Sequence, residues 1–254
     1  MATFVLVPGA WQGVWTWQSV ITELQARGHR AVPAALATNG RTSLATHTAQ
    51  VADLLDREGP GVVVVGHSYG IFPAVAAADR MVAQVARLVF VDTAIPEDGD
   101  SLANLFLDPS RREQLRQASV EGLMPVPAPE ELAGPAGLTG VCAADRERLV
   151  QLGTPQPTAT FFDPVELTGA WRTLPVTGVF CLANGLSLEV ARQLYATGAP
   201  RFAKFAAADT TFFELPTGHF PMLSTPAELA EVLIRAAAGD GTHLQQAADT
   251  PSSR

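Results

Sequence analysis

Cysteine is nearly missing: Cys142 and Cys181 are the two in 254 residues, far apart and in no C-x-x-C spacing. That excludes a disulfide framework and offers no zinc-ligand pattern, so both are expected to be buried thiols. Clustered positive charge is lacking too. With 17 Lys and Arg against 25 Asp and Glu, the formal net charge is -8, which leaves neither nucleic acid nor an anionic membrane surface a basic patch to bind. No apolar run is long enough to span a bilayer, and the opening Phe4–Val7 run stops at Pro8-Gly9 with no basic segment before it. Neither a signal peptide nor an anchor is expected, and the cytoplasm is the expected compartment. There is no internal repeat. What is present is apolar: 47% hydrophobic residues against 17% charged ones describes a packed core rather than a disordered chain. The length suits one α/β core carrying an insertion.

Through residue 95 short β-rich runs alternate with helical patterns, which is the pattern of βαβ units and a mainly parallel sheet. Phe4 to Val7, Ala31 to Ala34, Val62 to Val65 and Leu88 to Val91 read as strands. The last two are apolar at every position, so helices are expected on both faces of the sheet. Trp17, Val20, Ile21 and Leu24 recur at helical spacing before Gly28, and Leu44, Val51, Leu54 and Leu55 outline a second helix that Gly59-Pro60 ends. From Pro96 to Trp171 the alternation fails among Pro, Gly and charged residues, with short helical pieces at Arg111 to Ala118 and Ala143 to Leu152. Residues 96–171 therefore read as a helical lid inserted between core strands, dividing the core into 1–95 and 172–238. Val176 to Leu182 and Thr211 to Leu215 resume the sheet. Thr225, Pro226 and Glu228 are spaced as a capping box opening a last helix through Leu229, Val232 and Leu233. Residues 239–254, rich in Gly, Asp, Thr, Gln and Ser, read as a disordered tail.

One segment carries chemistry. In Val62-Val-Val-Val-Gly-His-Ser-Tyr-Gly70 a buried strand runs into G-x-S-x-G and then into the helical stretch Ile71 to Arg80. A serine on that strand-to-helix turn is strained and exposed, with a helix N-terminus behind it that favours developing negative charge. Gly66 and Gly70 leave room for the turn. Ser68 is thus the candidate nucleophile; a structural turn serine is the plainer alternative. Five histidines compete to be its base. His29 lies in a turn, His47 on a helix face and His243 in the tail, all read as satisfied surface residues, while His67 inside the elbow is expected to point away from the reacting side. His219 remains, in the loop between the last strand and the last helix, where hydrolases with this elbow present their base. A satisfied loop histidine is the alternative.

These features together resemble α/β-hydrolases of the subgroup that contains plant methylesterases, hydroxynitrile lyases and many bacterial esterases. The resemblance runs to about Ala238. It rests on Phe4-Val-Leu-Val-Pro-Gly-Ala-Trp-Gln-Gly-Val-Trp15, on Gly66-His-Ser-Tyr-Gly70, on Val91-Asp-Thr-Ala-Ile-Pro-Glu-Asp-Gly99 and on Gly218-His219. It implies a serine esterase with a catalytic triad, working through an acyl-enzyme with no metal or cofactor. The first loop has Pro8-Gly9 where such proteins usually have His-Gly, yet the backbone amides of Ala10 and Tyr69 can still form the oxyanion hole. The acid departs further. Relatives commonly place it after the strand corresponding to Val176 to Leu182, where this chain has Asn184, a residue that cannot stabilise an imidazolium as a carboxylate does. Asp92, at the end of the preceding core strand, reaches the same histidine in this topology; an Asn184-oriented dyad, or Asp92 as a mere strand-end cap, are the alternatives.

The first loop and lid are rich in apolar surface, including Trp15, Phe72 and Phe106. Trp11, Phe161, Phe162, Trp171 and Phe220 are expected to line the pocket, which implies a small apolar or aromatic ester as substrate and partner. Such a pocket would suit tailoring of an aromatic natural product, and self-association into a homodimer is left open. A dehalogenase or epoxide hydrolase of this fold would carry Asp in place of Ser68. Cyanohydrin cleavage is disfavoured by Gly9 and Phe220, which stand where lyases of the subgroup have Thr and Lys. A pocket that binds without turnover is the rival outside enzymes.

Overall fold

Strands buried on both faces need helices on both, and the alternation of their side chains shows which helices cover which face. The computed structural model describes residues 1–244. The first part runs β1 (Thr3–Val7), α1 (Gln18–Ala26), β2 (Arg30–Pro33), α2 (Leu44–Glu58), β3 (Val62–His67), α3 (Ile71–Arg80) and β4 (Val85–Val91). The insertion holds α4 (Leu102–Phe106), α5 (Pro109–Gln117), β5 (Leu123–Met124), α6 (Pro129–Gly137), α7 (Ala143–Gln151), β6 (Gln156–Pro157) and α8 (Ala159–Phe162). Then follow β7 (Val176–Cys181), α9 (Leu188–Ala196), β8 (Thr210–Leu215), α10 (Pro221–Ser224) and α11 (Pro226–Ala237).

Six strands form one sheet in the order β2-β1-β3-β4-β7-β8, and every neighbouring pair is parallel. Phe4 and Leu6 of β1 and Val63 and Val65 of β3 pack with Trp17 and Leu24 of the α1 side and with Leu229 and Leu233 of α11. The intervening Val5, Val7, Val62 and Val64 pack on the other face with Val51 and Leu55 of α2 and Ile71 and Val75 of α3. Each such side chain, wholly removed from water, contributes about 1.5–3 kcal/mol. The insertion leaves after β4 and returns at β7, its parallel neighbour in the sheet with Leu88 opposite Val176. It therefore projects from the end of the sheet where β3 and β4 finish. Open α/β sheets bind ligands outside the carboxyl ends of their strands.

Gly28 and Gly59 close α1 and α2 with φ of +79° and +77°, the left-handed conformation glycine adopts without a Cβ penalty. Three features differ from the sequence reading. Inside the lid, β5 and β6 pair as a short antiparallel ribbon that no alternating pattern announces. Thr225 precedes α11 but makes no side-chain cap, because α10 ends there and the Thr225 hydroxyl donates back to the Pro221 carbonyl at 3.4 Å. The expected tail is docked over its first part: Thr242 pairs with Phe212 of β8, and Leu244 is buried; residues 245–254 lie outside the described residues. Among those described, no helix is long and apolar enough to cross a membrane.

Candidate active site

Four non-glycine residues among those described have a left-handed φ, and three of them line one cavity: Trp11 at +58°, Ser68 at +50° and Asp92 at +49°. Such conformations persist only where the surroundings enforce them, and they concentrate at functional sites. At Ser68 the enforcement is visible. A Cβ on Gly66 would stand 2.6 Å from the Ile71 Cα, and one on Gly70 would stand 2.5 Å from the Val7 carbonyl oxygen. The elbow closes so tightly against α3 and β1 that only glycine fits on either side. His67 and Tyr69 are buried while Ser68 between them keeps partial exposure.

Asp92 ends β4 with its carboxylate wholly buried. Its Oδ1 accepts the Cys181 amide at 3.1 Å, and its Oδ2 accepts the Asn184 amide group at 2.7 Å and the His219 ring at 2.6 Å through Nδ1. Burial alone would raise this carboxyl; the hydrogen bond and charge of His219, with Asn184, outweigh it and hold Asp92 below the usual carboxylate range. An ionised acceptor at Nδ1 fixes the tautomer and leaves Nε2 of His219 as the basic nitrogen. Asn184 comes to 3.4 Å from the same Nδ1. Its short contact is with Asp92, so Asn184 braces that carboxylate rather than the histidine.

His219 is held by its backbone as well. Its amide donates to the Gly137 carbonyl at 2.7 Å, at the end of lid helix α6, and its carbonyl accepts Nε2–H of His67 at 2.7 Å. His67 does not line the cavity, in keeping with the sequence reading; it packs behind His219, with 4.7 Å between the ring centres. Burial, with the charge of His219, pushes His67 down to about 3, so it stands neutral beside the candidate base. His47 differs from expectation. It is buried, with Nδ1 2.7 Å from the Tyr69 phenol and Nε2 2.7 Å from the Ala37 carbonyl, and it supports the residue after the elbow serine.

The cavity measures about 410 Å³ and brings together Ser68, Asp92, His219, Ala10, Trp11, Phe161 and Phe220, with Asn184 beside them. Two expected pocket residues are elsewhere. Trp171 is buried in the core beside α3, its amide donating to Asp79 at 2.9 Å. Phe162 lies on the far side of α8 with the Arg116 guanidinium 4.4 Å above its ring. Phe161 and Phe162 point about 100° apart around α8; Phe161 lines the cavity and Phe162 does not. Arg111 and Glu131 of the lid also line it, and the sequence reading had passed over both. Among the described residues no cluster of His, Cys, Asp or Glu could hold a metal ion.

A model of the alpha/beta hydrolase family matches residues 4–232. The chain belongs to the alpha/beta hydrolase family. It is similar to a carbendazim hydrolyzing esterase of Nocardioides sp., 31% identical over 249 residues that cover 92% of this chain and 98% of that one. Esterase PIR7B of Oryza sativa is 32% identical over 137 residues, 48% of this chain and 47% of the relative. Among solved structures, an extracellular alpha/beta-hydrolase from a Paenibacillus species superposes with a TM-score of 0.75 at 21% identity, covering 93% of this chain and 99% of that one. A methylesterase, MES16, from Arabidopsis gives 0.66 at 17% identity over 94% and 99%; at such identities the likeness is one of fold. In this alpha/beta hydrolase, sequence reasoning missed Gly137 and Gln156, which reach the site by hydrogen bonds to the backbones of His219 and Trp11. No motif marks such contacts.

Proposed function

We propose that Ser68 is the nucleophile, His219 its general base and Asp92 the acid that orients and charges the base. The chain is a carboxylic ester hydrolase. In this reading Nε2 of His219 takes the Ser68 Oγ proton as Oγ bonds to the ester carbonyl carbon, and the carbonyl oxygen gathers negative charge against the Ala10 and Tyr69 amides. Collapse breaks the bond to the alkoxy oxygen, which leaves with the proton from His219, and water repeats the sequence on the acyl-enzyme. The buried charge of Asp92 stabilises the imidazolium in both halves.

The observation that carries the proposal is the 2.6 Å contact between His219 and Asp92 in the same cavity as the strained Ser68. The volume and the Trp11, Phe161 and Phe220 walls favour a small ester with an apolar or aromatic body. Incubation with a fluorophosphonate probe and with p-nitrophenyl esters tests it. The wild type is expected to be labelled and to turn over, and Ser68→Ala to do neither while melting as the wild type does. A folded Ser68→Ala that retains wild-type turnover sinks the assignment, and an unlabelled, inactive wild type makes the cavity a binding pocket.

A further inference from the structure

Gly9 accepts the Gln12 amide at 3.3 Å, closing a four-residue turn with Ala10 and Trp11 at its centre. Trp11 is its third residue, at φ +58°, a position that favours glycine or asparagine. Left to itself a tryptophan there would relax, and the peptide plane that follows the Ala10 amide would turn with it. The lid prevents this at three points. The Trp11 amide donates to Gln156 Oε1 at 3.1 Å, the Trp11 carbonyl accepts the Thr154 amide at 3.1 Å, and the indole Nε1–H donates to the Met124 carbonyl at 3.3 Å. The Phe161 ring packs 5.0 Å from Trp11 and 6.2 Å from Tyr69, touching both segments of the oxyanion hole proposed above.

Gln156 is the one side chain in this clamp whose polarity is dictated from behind. It is buried, its Nε2 lies 2.6 Å from Thr160 Oγ1, and that hydroxyl lies 2.6 Å from the Pro157 carbonyl. Thr160 has one proton, which goes to Pro157, so it must accept from Gln156; the Gln156 amide is thereby oriented with Oε1 towards the Trp11 N–H. We infer that Gln156 is a positioning residue for catalysis: through Trp11 it sets the aim of the Ala10 amide at the oxyanion, so the lid governs the rate of the chemical step as well as substrate choice. The inference rests on the serine-hydrolase reading above.

The test compares wild type with Gln156→Leu, which keeps the bulk and removes the acceptor, and with Thr160→Val, which keeps Gln156 and frees its amide to rotate. Loss of one oxyanion donor lowers kcat by about 10²–10³. A donor present but misaimed should cost part of that, on the order of 10- to 100-fold in kcat for Gln156→Leu and a smaller factor for Thr160→Val. KM should stay within about threefold, since the neutral ground-state carbonyl gains little from the hole. A boronic acid, whose adduct with Ser68 carries the tetrahedral charge, should weaken in step with kcat/KM, while binding of the uncharged alcohol product should not change. A merely structural role would not separate the last two ligands. Folded variants with undiminished kcat and boronate affinity overturn the inference, as does a loss confined to KM. Should Gln156→Leu not fold, Thr160→Val carries the same comparison by itself. Failure of the underlying reading looks different: the wild type itself then shows no ester turnover.

Discussion

The two halves of the site are built on different principles. On the sheet side Ser68 and Asp92 stand at the ends of adjacent parallel strands β3 and β4, held at left-handed φ by neighbours that are almost entirely buried. On the lid side α5 and α7 bury one residue each, Leu115 and Leu149; lid side chains such as Arg111, Glu131 and Phe161 line the cavity, and what holds the Trp11 and His219 segments from this side is a few hydrogen bonds to their backbones. Ser68 and Asp92 are fixed by packing from the core. The lid holds the site from the other side, by hydrogen bonds to the Trp11 and His219 backbones. Precision in the core thus comes from steric exclusion, and in the lid from the direction of polar groups, which is why a site residue in the lid need not resemble one.

The comparison breaks most visibly at Asp92. Asp92→Asn keeps the size of the side chain and removes the charge that stabilises imidazolium, so kcat should fall by about 10⁴. Asn184→Ala, which removes only a donor to Asp92 Oδ2, should cost far less. Steady-state kinetics beside melting temperatures measure both; if Asn184→Ala is the crippling change, the base is oriented by Asn184 in a dyad and the core half is misread. Because Asp92 is held below the usual carboxylate range, it stays ionised at mildly acidic pH. Its stabilising contribution is present above the unfolded carboxyl pKa and is lost only as pH falls through the depressed folded value.

His67 sharpens the same point through pH. Its folded pKa is depressed to about 3 by burial and by His219, while in the unfolded chain it titrates near ~6.5. The unfolded state therefore binds the extra proton between those values, and stability is full above pH ~6.5 and falls below it by up to ~1.4 kcal/mol per pH unit. His47, lowered by its own burial, works in the same direction. Acid unfolding should accordingly begin above the carboxylate range. His67→Gln keeps a donor for the His219 carbonyl without titrating, and denaturant titrations at pH 7 and pH 5 should show a smaller stability difference for it than for the wild type. An equal difference would mean that His67 is protonated within the fold.

The strained turn at Ser68 and the meeting of His219 and Asp92 at the same cavity were legible because each depends on chain-local chemistry: an all-apolar strand, glycines where a turn is tight, a histidine between the last strand and last helix. The lid was not. Trp11 and Gln156 are 145 residues apart, and no periodicity links a buried glutamine to a backbone amide across that distance. The contact of His67 with His219 was hidden for a related reason, since the two are 152 residues apart. The capping box at Thr225 failed because spacing cannot reveal that α10 ends on the same residue. The expected tail failed over its first part because pairing with β8 needs backbone groups, which composition does not record.

The smallest effects should distinguish the two faces of α8. Phe161 lines the cavity and is buried between Trp11 and Tyr69; trimming it to alanine removes wall from the pocket, and single apolar pocket contacts discriminate substrates by about 1–3 kcal/mol. Phe161→Ala should therefore shift the ratio of kcat/KM between a short-chain and a phenyl-substituted p-nitrophenyl ester by roughly tenfold or more. Phe162 faces the other way, beneath Arg116, in a stack whose cationic contact is worth about 0.5–1 kcal/mol where solvent reaches it. Phe162→Ala should leave that selectivity ratio at the wild-type value and show itself only as a modest fall in melting temperature. Both outcomes follow from a rotation of one residue along a four-residue helix. A selectivity change in Phe162→Ala, or none in Phe161→Ala, would mean that the lid meets the substrate with its other face.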